Sequence, residues 1–389
     1  MATTAEGSRA VEVHGHVEPG FEAVADAFRA NFVHRGETGG ACAVYAGGSA
    51  VVDIWAGVTD SGPWTPAVRS CVFSVSKGVL AVCLLMAVDR GVIDLDTPVT
   101  AYWPEFGAGG KGSTTVRQVL AHRAGLPAPD VDLTLDDLRA WDPVVTALAA
   151  QTPAWTPGTD FAYHALTLGW LAGEVLRRAT GKRPGQWLTE HVAGPLGLDM
   201  AFGADPEEPG FCPMLEPLPN TDPDAAAAAV TAALQEPLVV RALSLGGAVD
   251  PTNLFGSANT PEFLACELPA ADLVTNARSL ARLYAATVGE VDGVRLLSAD
   301  VVRDARQVRS EGPPFVGPDD GLRWGTGFML DSRRRPMLGN GSFGHDGAGG
   351  HLAFAHLEEQ IAFGYQTSRP GGVPDERANE LSLALQKCL

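Results

Sequence analysis

The feature that most constrains the fold is an uninterrupted apolar run from Gly78 to Val88, which directly follows the segment Phe73-Ser74-Val75-Ser76-Lys77. The run has the composition of a helix but no polar face. A helix that is apolar on every side must be covered by other layers of the protein. At 11 residues the run is far shorter than the roughly 20 residues that cross a bilayer. We therefore predict a buried helix, with Ser74 at its start facing a cleft.

Strand-like patterns lie near both ends of the chain. Gly40 to Tyr45 and Ala50 to Trp55 flank a glycine turn and predict an antiparallel hairpin. Further strand patterns lie near the C-terminus, at Gly325 to Asp331, His351 to His356 and Gln360 to Gln366. The helix-like patterns are Gly20 to Phe32, Val116 to His122, Leu135 to Ala150, Leu166 to Thr180, Pro184 to His191, Asp224 to Leu234, Ala277 to Val288 and Asp375 to Lys387.

This order of elements predicts an α+β fold. Because the strands occur at both ends with a helical insertion between them, they can form one central antiparallel sheet. We expect residues 1–90 and 255–389 to form that α/β body, with helices flanking the sheet. Residues 91–254 are expected to form a mainly helical lobe.

Composition and charge argue against several classes of function. Hydrophobic residues make up 46% and charged residues 19%, which is typical of a soluble globular protein. The formal net charge of −18 disfavours binding to nucleic acid or to a membrane surface, since both depend on basic patches. Residues 1–7 lack the pattern of a secretory signal, and the six scattered cysteines suggest neither a disulfide framework nor a zinc site. We expect mostly buried thiols and a reducing cytoplasm.

Ser74 and Lys77 carry the strongest chemical signal. Residues three apart on a helix share a face, so the hydroxyl and the amine are expected to meet. Burial of an ammonium lowers its pKa, and a neutral amine beside a hydroxyl can accept the hydroxyl proton. The chain has only four lysines, and Lys77 alone has a serine three residues before it. A chance occurrence in a lysine-poor sequence remains the alternative reading.

Two further segments can complete such a site. Tyr163 lies in Phe161-Ala162-Tyr163-His164-Ala165, just before a predicted helix, and a phenol near Lys77 is expected to have a lowered pKa and to shuttle a proton. The glycine-rich segment 343–350 permits close backbone approach, so the N–H groups of Ser74 and Ala348 can form an oxyanion hole. Taken alone, the first segment also fits a packed tyrosine and the second a surface turn.

Together, the order and context of these segments resemble the family of serine β-lactamases, D,D-peptidases and esterases related to class C β-lactamases, known as family VIII carboxylesterases. That family uses an SxxK motif, a tyrosine motif and a KTG-type motif. The resemblance covers nearly the whole chain and rests on residues 53–57, 73–78, 101–106, 115–126, 163–165, 169–171, 277–284 and 345–350.

The resemblance implies a β-lactamase/transpeptidase-like fold and an acyl-enzyme on Ser74, with Lys77 and Tyr163 moving its proton. The expected substrate is a small carboxylic ester, and the chemistry needs no metal or organic cofactor. His345, Asp346 and Gly347 are expected to line the substrate pocket, with His345 tuning the Lys–Tyr pair. They replace the KTG motif, which together with other departures from the lactamase pattern favours the esterase branch. One of these is Ala165 at the asparagine of YxN. Gln366 is instead a departure from the esterase branch, which usually has an asparagine after the corresponding Gly-Tyr pair.

Other functions fit the same sequence. A transacylase or an amidase of a specialised metabolite would use the same acyl-enzyme, and a β-lactamase is a less favoured reading. A non-catalytic binding protein that kept the fold is disfavoured by the intact Ser74, Lys77 and Tyr163. The acyl chain, the physiological substrate and the oligomeric state stay open.

Overall fold

The computed structural model describes residues 11–220, 223–224, 227–228, 231, 235–372 and 375–389. The strands in this part of the chain are β1 (His14–Val17), β2 (Gly39–Ala46), β3 (Ser49–Thr59), β4 (Gly62–Pro63), β5 (Ser70–Cys71), β6 (Met200–Ala201), β7 (Val274–Thr275), β8 (Arg323–Trp324), β9 (Met329–Leu330), β10 (Ser342–Gly347), β11 (His351–His356) and β12 (Ile361–Thr367).

The helices lie mostly between the two groups of long strands. They are α1 (Glu22–His34), α2 (Val75–Asp89), α3 (Val116–Leu120), α4 (Leu135–Ala140), α5 (Asp142–Ala150), α6 (Leu168–Thr180), α7 (Pro184–Leu188), α8 (Gly194–Leu196), α9 (Pro237–Ser244), α10 (Leu254–Ser257), α11 (Pro261–Leu264), α12 (Ala277–Val288), α13 (Ala299–Ala305) and α14 (Arg377–Gln386). Short 3-10 segments occur at Val99–Ala101, Pro104–Gly110 and Leu245–Gly247, and a π-helical turn at Thr189–Ala193.

The main sheet has the spatial order β1-β3-β2-β12-β11-β10-β9-β8, with β4 paired to β3 at one side. All of its pairings are antiparallel. The early hairpin β2–β3 joins the late strands through the β2–β12 pairing, which aligns Val44 with Phe363. The predicted α+β class and the predicted hairpin are therefore confirmed. A small sheet of order β5-β7-β6 lies beside the main one.

Helices cover both faces of the main sheet. Alternate side chains of β2 point to opposite faces, as the two-residue period of a strand requires. Cys42 and Val44 join the core that contains Phe28 of α1 and Leu381 of α14. Ala43 and Tyr45 join the core that contains α2 and α12. The sheet is thus the middle layer of the body.

Helix α2 is the buried helix that the apolar run predicts. Every residue from Val75 to Ala87 is buried, including Ser76 and Lys77. The helix packs against α6 on one side and against β10 of the main sheet on another. Its first turn therefore lies where the sheet meets the helices that follow it in the chain.

Two predicted elements are wrong in detail. The predicted helix Leu135 to Ala150 is two helices, because the chain turns at Trp141 with φ 71°. A buried hydrogen bond from the Trp141 indole to Glu174 (2.8 Å) and a proline at the start of α5 stabilise the break. The predicted strand Gly325 to Asp331 is a strand only at Met329–Leu330 (β9), and the residues before it form a tight turn after β8, with Gly327 at φ 84°.

Other predictions on the helical lobe have mixed outcomes. The predicted helix Asp224 to Leu234 lies mostly outside the described residues. The boundaries at residues 90 and 255 stay a prediction. Five of the six cysteines are buried, as expected, and Cys388 is partly exposed. No helix in the described ranges is long and apolar enough to span a bilayer.

A substitution at Gly78 tests how α2 packs against α12. A Cβ at this position would collide with the hydroxyl of Tyr284 on α12, which is buried and has no hydrogen-bond partner in the described structure. We expect Gly78→Ala to lower the free energy of unfolding by about 1–3 kcal/mol through overpacking. In a Tyr284→Phe background the loss should shrink, because the colliding atom is gone. Urea unfolding of the four proteins measures this coupling, and an equal loss in both backgrounds would contradict it.

Candidate active site

Ser74 is the N-cap residue of α2 and is presented by a strained turn. Strand β5 leads into Val72, whose N–H donates to the carbonyl of Leu273 (2.9 Å). The next residue, Phe73, has φ 47°, a conformation that non-glycine residues rarely adopt. Such strain is kept where the surrounding structure enforces it, often at functional sites. Here it turns Ser74 out of the strand and toward a cavity.

Ser76 holds this turn in place, and sequence reasoning missed it. Its hydroxyl donates to the carbonyl of Phe73 and accepts from the N–H of Leu273 (3.0 Å). The side chain is fully buried. A buried serine hydroxyl needs such partners, so Ser76 connects the start of α2 to β7. The only signal in the sequence is a polar residue at the entrance of an otherwise apolar helix.

The structure brings Ser74, Lys77 and Tyr163 together. The Ser74 Oγ atom lies 2.9 Å from Lys77 Nζ and 2.9 Å from Tyr163 Oη. Lys77 Nζ also donates to the carbonyl oxygen of Ala270 (2.8 Å) and lies 4.9 Å from the centre of the Tyr163 ring. An amine and a phenol from distant parts of the chain thus flank one hydroxyl.

The environment of Lys77 favours its neutral form. The side chain is 1% exposed, and burial lowers its pKa to about 7, although the charge of Asp346 acts in the opposite direction. Its hydrogen-bond partners in the described residues are the Ser74 hydroxyl and the Ala270 carbonyl, neither of which is charged. A large fraction of the amine is therefore unprotonated near neutral pH and can accept a proton from Ser74.

The pKa of Tyr163 differs from the expectation based on the sequence. The pKa of its phenol was expected to be lowered by Lys77, but burial raises it well above 10, and Asp346 adds to the rise. The hydrogen bond to Ser74 only partly offsets these effects. The ring stacks on Trp324 at a centroid distance of 5.0 Å, with His122 5.1 Å away on another side. Tyr163 is thus a neutral proton donor, held in a fixed orientation.

Ser74 and Ala348, whose amide groups are the predicted oxyanion hole, both border the cavity. Strand β10 approaches the chain before Ser74 so closely that a Cβ at Gly347 would collide with the carbonyl of Val72. Within the described part of the chain, neither amide donates a hydrogen bond. Two free N–H groups beside a nucleophile have the composition of an oxyanion hole.

The side chain of His345, predicted to line the pocket, is buried beside the cavity and does not form its wall. The ring is 1% exposed and is absent from the cavity lining, whereas Asp346 and Gly347 border the cavity. It lies behind Tyr163, 6.1 Å from that ring. Its Nδ1 atom donates to the Asp346 carbonyl (2.6 Å), and burial lowers its pKa, so the imidazole is neutral. The burial of β10 puts the histidine beneath the site.

Asp346 does not face the site as a free carboxylate. Its Oδ2 atom accepts from Arg335 Nε (3.0 Å), and Arg335 also donates to Asn379 (2.7 Å). Burial alone would raise the pKa of Asp346, but His345 and Arg335 together hold it below its usual value. The carboxylate is therefore ionised and its charge is largely balanced.

The cavity above Ser74 has a volume of about 880 Å³. Its wall from the helical region is apolar and includes Val239, Ala242 and Leu243 of α9. Ala165 also borders it. Gln366 is absent from the lining, since its buried amide donates to Ser70 (2.8 Å) and accepts from the N–H of Ala277 (3.3 Å). A cavity of this size accepts a small organic molecule.

Comparison with known proteins agrees with this geometry. The β-lactamase family model matches residues 22–387. The chain belongs to the β-lactamase family. The predicted resemblance of the chain to that family is thereby confirmed.

Several known proteins are similar to this chain. The esterase/β-lactamase LipL of Mycobacterium tuberculosis is 36% identical over 358 residues, which cover 90% of this chain and 82% of LipL. The crystal structure of a family VIII carboxylesterase superposes with a TM-score of 0.85 at 31% identity, over 97% of this chain and 100% of the other. The monacolin J acid methylbutanoyltransferase of Aspergillus terreus is 28% identical over 153 residues, 33% of this chain and 37% of that enzyme.

The pKa of Lys77 generates a pH prediction. Below about pH 7 the amine is protonated and cannot accept the Ser74 proton, so reactivity should fall as the pH decreases through this value. We expect the rate of Ser74 labelling by a fluorophosphonate to rise tenfold per pH unit below about 7 and to level off above it.

Lys77→Met should remove this dependence of the labelling rate on pH. The matched control is Lys182→Met, which removes an exposed lysine paired with Glu190 and should keep the full profile. A labelling rate that does not depend on pH between 5 and 9 in the unmodified protein would contradict the assignment of Lys77.

Proposed function

We propose that the protein is a serine carboxylesterase that acts through an acyl-enzyme on Ser74. The observation that carries this proposal is the pair of 2.9 Å contacts from Ser74 Oγ to Lys77 Nζ and to Tyr163 Oη, at the edge of a cavity that has an apolar wall. A hydroxyl beside a neutral amine is an activated nucleophile. The similarity to LipL and to a family VIII carboxylesterase supports the same activity.

In the first step Ser74 Oγ attacks the ester carbonyl carbon. The hydroxyl proton passes to Lys77 Nζ as the new C–O bond forms, and the carbonyl oxygen takes the negative charge. The N–H groups of Ser74 and Ala348 would stabilise that oxyanion. Removal of one such donor from an acyl-transfer enzyme slows it by about 10²–10³-fold, so this contribution is large.

The second half of acylation expels the alcohol. Tyr163, with its raised pKa, is neutral and can donate its proton to the leaving oxygen while it regains one from the Lys77 ammonium. Water then attacks the acyl-enzyme and gives a proton to Lys77 Nζ. Tyr163 donates its proton to the departing Ser74 Oγ and regains one from the Lys77 ammonium, which releases Ser74 and the carboxylic acid product. No metal or organic cofactor takes part in these steps.

Two features near the nucleophile favour an ester over a β-lactam. Ala165 borders the cavity and has no amide to bind a lactam side chain. His345-Asp346-Gly347 replaces the KTG motif, so the lysine that would bind a substrate carboxylate in the lactamase pattern is missing. The substrate that these features fit is a neutral ester.

A second candidate function is transfer of the acyl group to another alcohol or to an amine. The match to a methylbutanoyltransferase over 153 residues is the observation that favours it. Both activities share the acyl-enzyme, so partitioning of a trapped acyl-enzyme between water and added alcohols or amines separates them. We also propose a reducing, cytoplasmic location, which the buried free thiols support.

Ser74→Ala should remove turnover of p-nitrophenyl esters, because the atom that bonds to the acyl group is gone. The unmodified protein should gain the mass of one acyl group on Ser74 when it is quenched during turnover, as intact-mass spectrometry can show. The control is Ser61→Ala at an exposed serine, which should retain full activity. Substantial turnover by folded Ser74→Ala protein would reject the assignment.

Leu243 tests whether α9 binds the acyl chain. Its side chain borders the cavity and is 41% exposed in the absence of a ligand. Burial of each methylene contributes about 0.8 kcal/mol, so kcat/KM should rise along the series from acetate to hexanoate esters. Leu243→Asp should flatten this rise and leave the acetate ester unaffected. An unchanged rise in the variant would show that the chain binds elsewhere.

A further inference from the structure

We propose that Arg377, at the start of α14, is a positioning residue that holds the Gly347–Gly350 turn so that the Ala348 N–H faces the nucleophile. This inference rests on the proposed function, since it concerns the oxyanion hole of that reaction. Arg377 is far from Ser74 in sequence and does not border the cavity.

The turn after β10 has little rigidity of its own. Gly349 and Gly350 have φ values of 87° and 110°, and one backbone hydrogen bond closes the turn, from Gly350 N–H to the Gly347 carbonyl (3.2 Å). Glycines lose more conformational freedom on folding than any other residue. The direction of the Ala348 N–H therefore depends on contacts from outside the turn.

Arg377 supplies such a contact directly. Its Nη2 atom donates to the Gly349 carbonyl (3.0 Å), one residue after Ala348. The N–H of Gly371 donates to the same carbonyl (3.2 Å). The Gly349 carbonyl and the Gly350 N–H belong to one planar peptide, so two donors on this oxygen also hold the Gly350 N–H. That N–H donates to the Gly347 carbonyl, which lies in the same peptide as the Ala348 N–H.

The guanidinium is itself held on every side. Asp375 accepts from Nε (3.0 Å) and from Nη2 (2.8 Å), and Glu37 accepts from Nη1 (3.2 Å). Thr367 Oγ1 accepts from Nη1 (3.1 Å), and the Arg369 carbonyl accepts from Nη2 (2.9 Å). The Arg377 side chain is 1% exposed and the Glu37 side chain is 0% exposed. A buried charge with this set of partners has one orientation.

The network connects the turn to the central sheet. Glu37 also accepts from the Tyr365 hydroxyl and from Thr367 Oγ1 (2.8 Å), both on β12. A guanidinium presents five N–H donors in one plane, whereas an ammonium presents three from a single point. Lysine at position 377 would keep the charge but could not reach Glu37, Asp375 and the Gly349 carbonyl at once.

Arg377→Lys tests the proposal. We expect kcat for p-nitrophenyl esters to fall by about 10²-fold, the effect of losing one oxyanion donor, while KM changes little. Affinity for a boronic acid, whose adduct with Ser74 is tetrahedral and carries the negative charge, should fall by a similar factor. Affinity for the carboxylic acid product, which has no tetrahedral oxyanion, should stay unchanged. A merely structural role would not split these two affinities.

The matched control is Glu174→Gln, which disrupts another buried ion-pair cluster. Glu174 is fully buried and accepts from Arg177, Arg178 and the Trp141 indole. This variant should lose thermal stability but keep kcat and the boronic acid affinity. If Arg377→Lys does not fold, Thr367→Val takes its place, because it removes one acceptor of Nη1 and should give a smaller loss in the same direction.

The outcomes separate this inference from the proposed function. If the unmodified protein neither turns over esters nor acylates Ser74, the proposed function fails. If it does both, and folded Arg377→Lys or its Thr367→Val substitute keeps kcat and the boronic acid affinity, the positioning role alone is overturned. A parallel loss of kcat in Glu174→Gln would also overturn it, because instability would then explain both effects.

Discussion

The burial of one amine is the constraint on which the rest of the site depends. Removing an ammonium from water is costly, and here its hydrogen-bond partners are the neutral Ser74 hydroxyl and Ala270 carbonyl. The protein resolves that cost by lowering the pKa of Lys77 to about 7. The same burial that would destabilise a charged lysine thus creates the base. An exposed lysine at the same distance from Ser74 would stay protonated and inert.

Much of the arrangement could be predicted because it is local. The apolar run predicted helix α2 and its burial, and the three-residue spacing predicted that Ser74 and Lys77 share one face of it. The strand-like patterns on either side of a glycine turn predicted the β2–β3 hairpin, although β3 continues to Thr59, and a third pattern predicted β11 with its observed bounds. In each case the signal and the structure involve the same few consecutive residues. The tyrosine motif could be joined to this helix only through the family resemblance.

What could not be predicted depends on contacts across the fold. The break of the Leu135 to Ala150 helix at Trp141 requires Glu174 on a later helix to accept the indole N–H. The carbonyl that binds Lys77 belongs to Ala270, a residue with no side-chain signal. The pKa of Tyr163 was expected to follow its charged neighbour, but burial dominates when that neighbour is itself partly neutral. Neither the partner that a side chain meets across the fold nor the degree to which it is shielded from water can be inferred from its neighbours in the sequence.

Arginines pair with the acidic side chains near the site. A free carboxylate near Lys77 would favour its ammonium form and raise its pKa, and Asp346 has this effect in part. Arg335 forms an ion pair with Asp346, so much of that field is balanced. Arg377 does the same for Glu37 and Asp375 behind the glycine turn. Pairing each nearby acid with an arginine, which cannot lose its proton, leaves the lysine as the group that titrates.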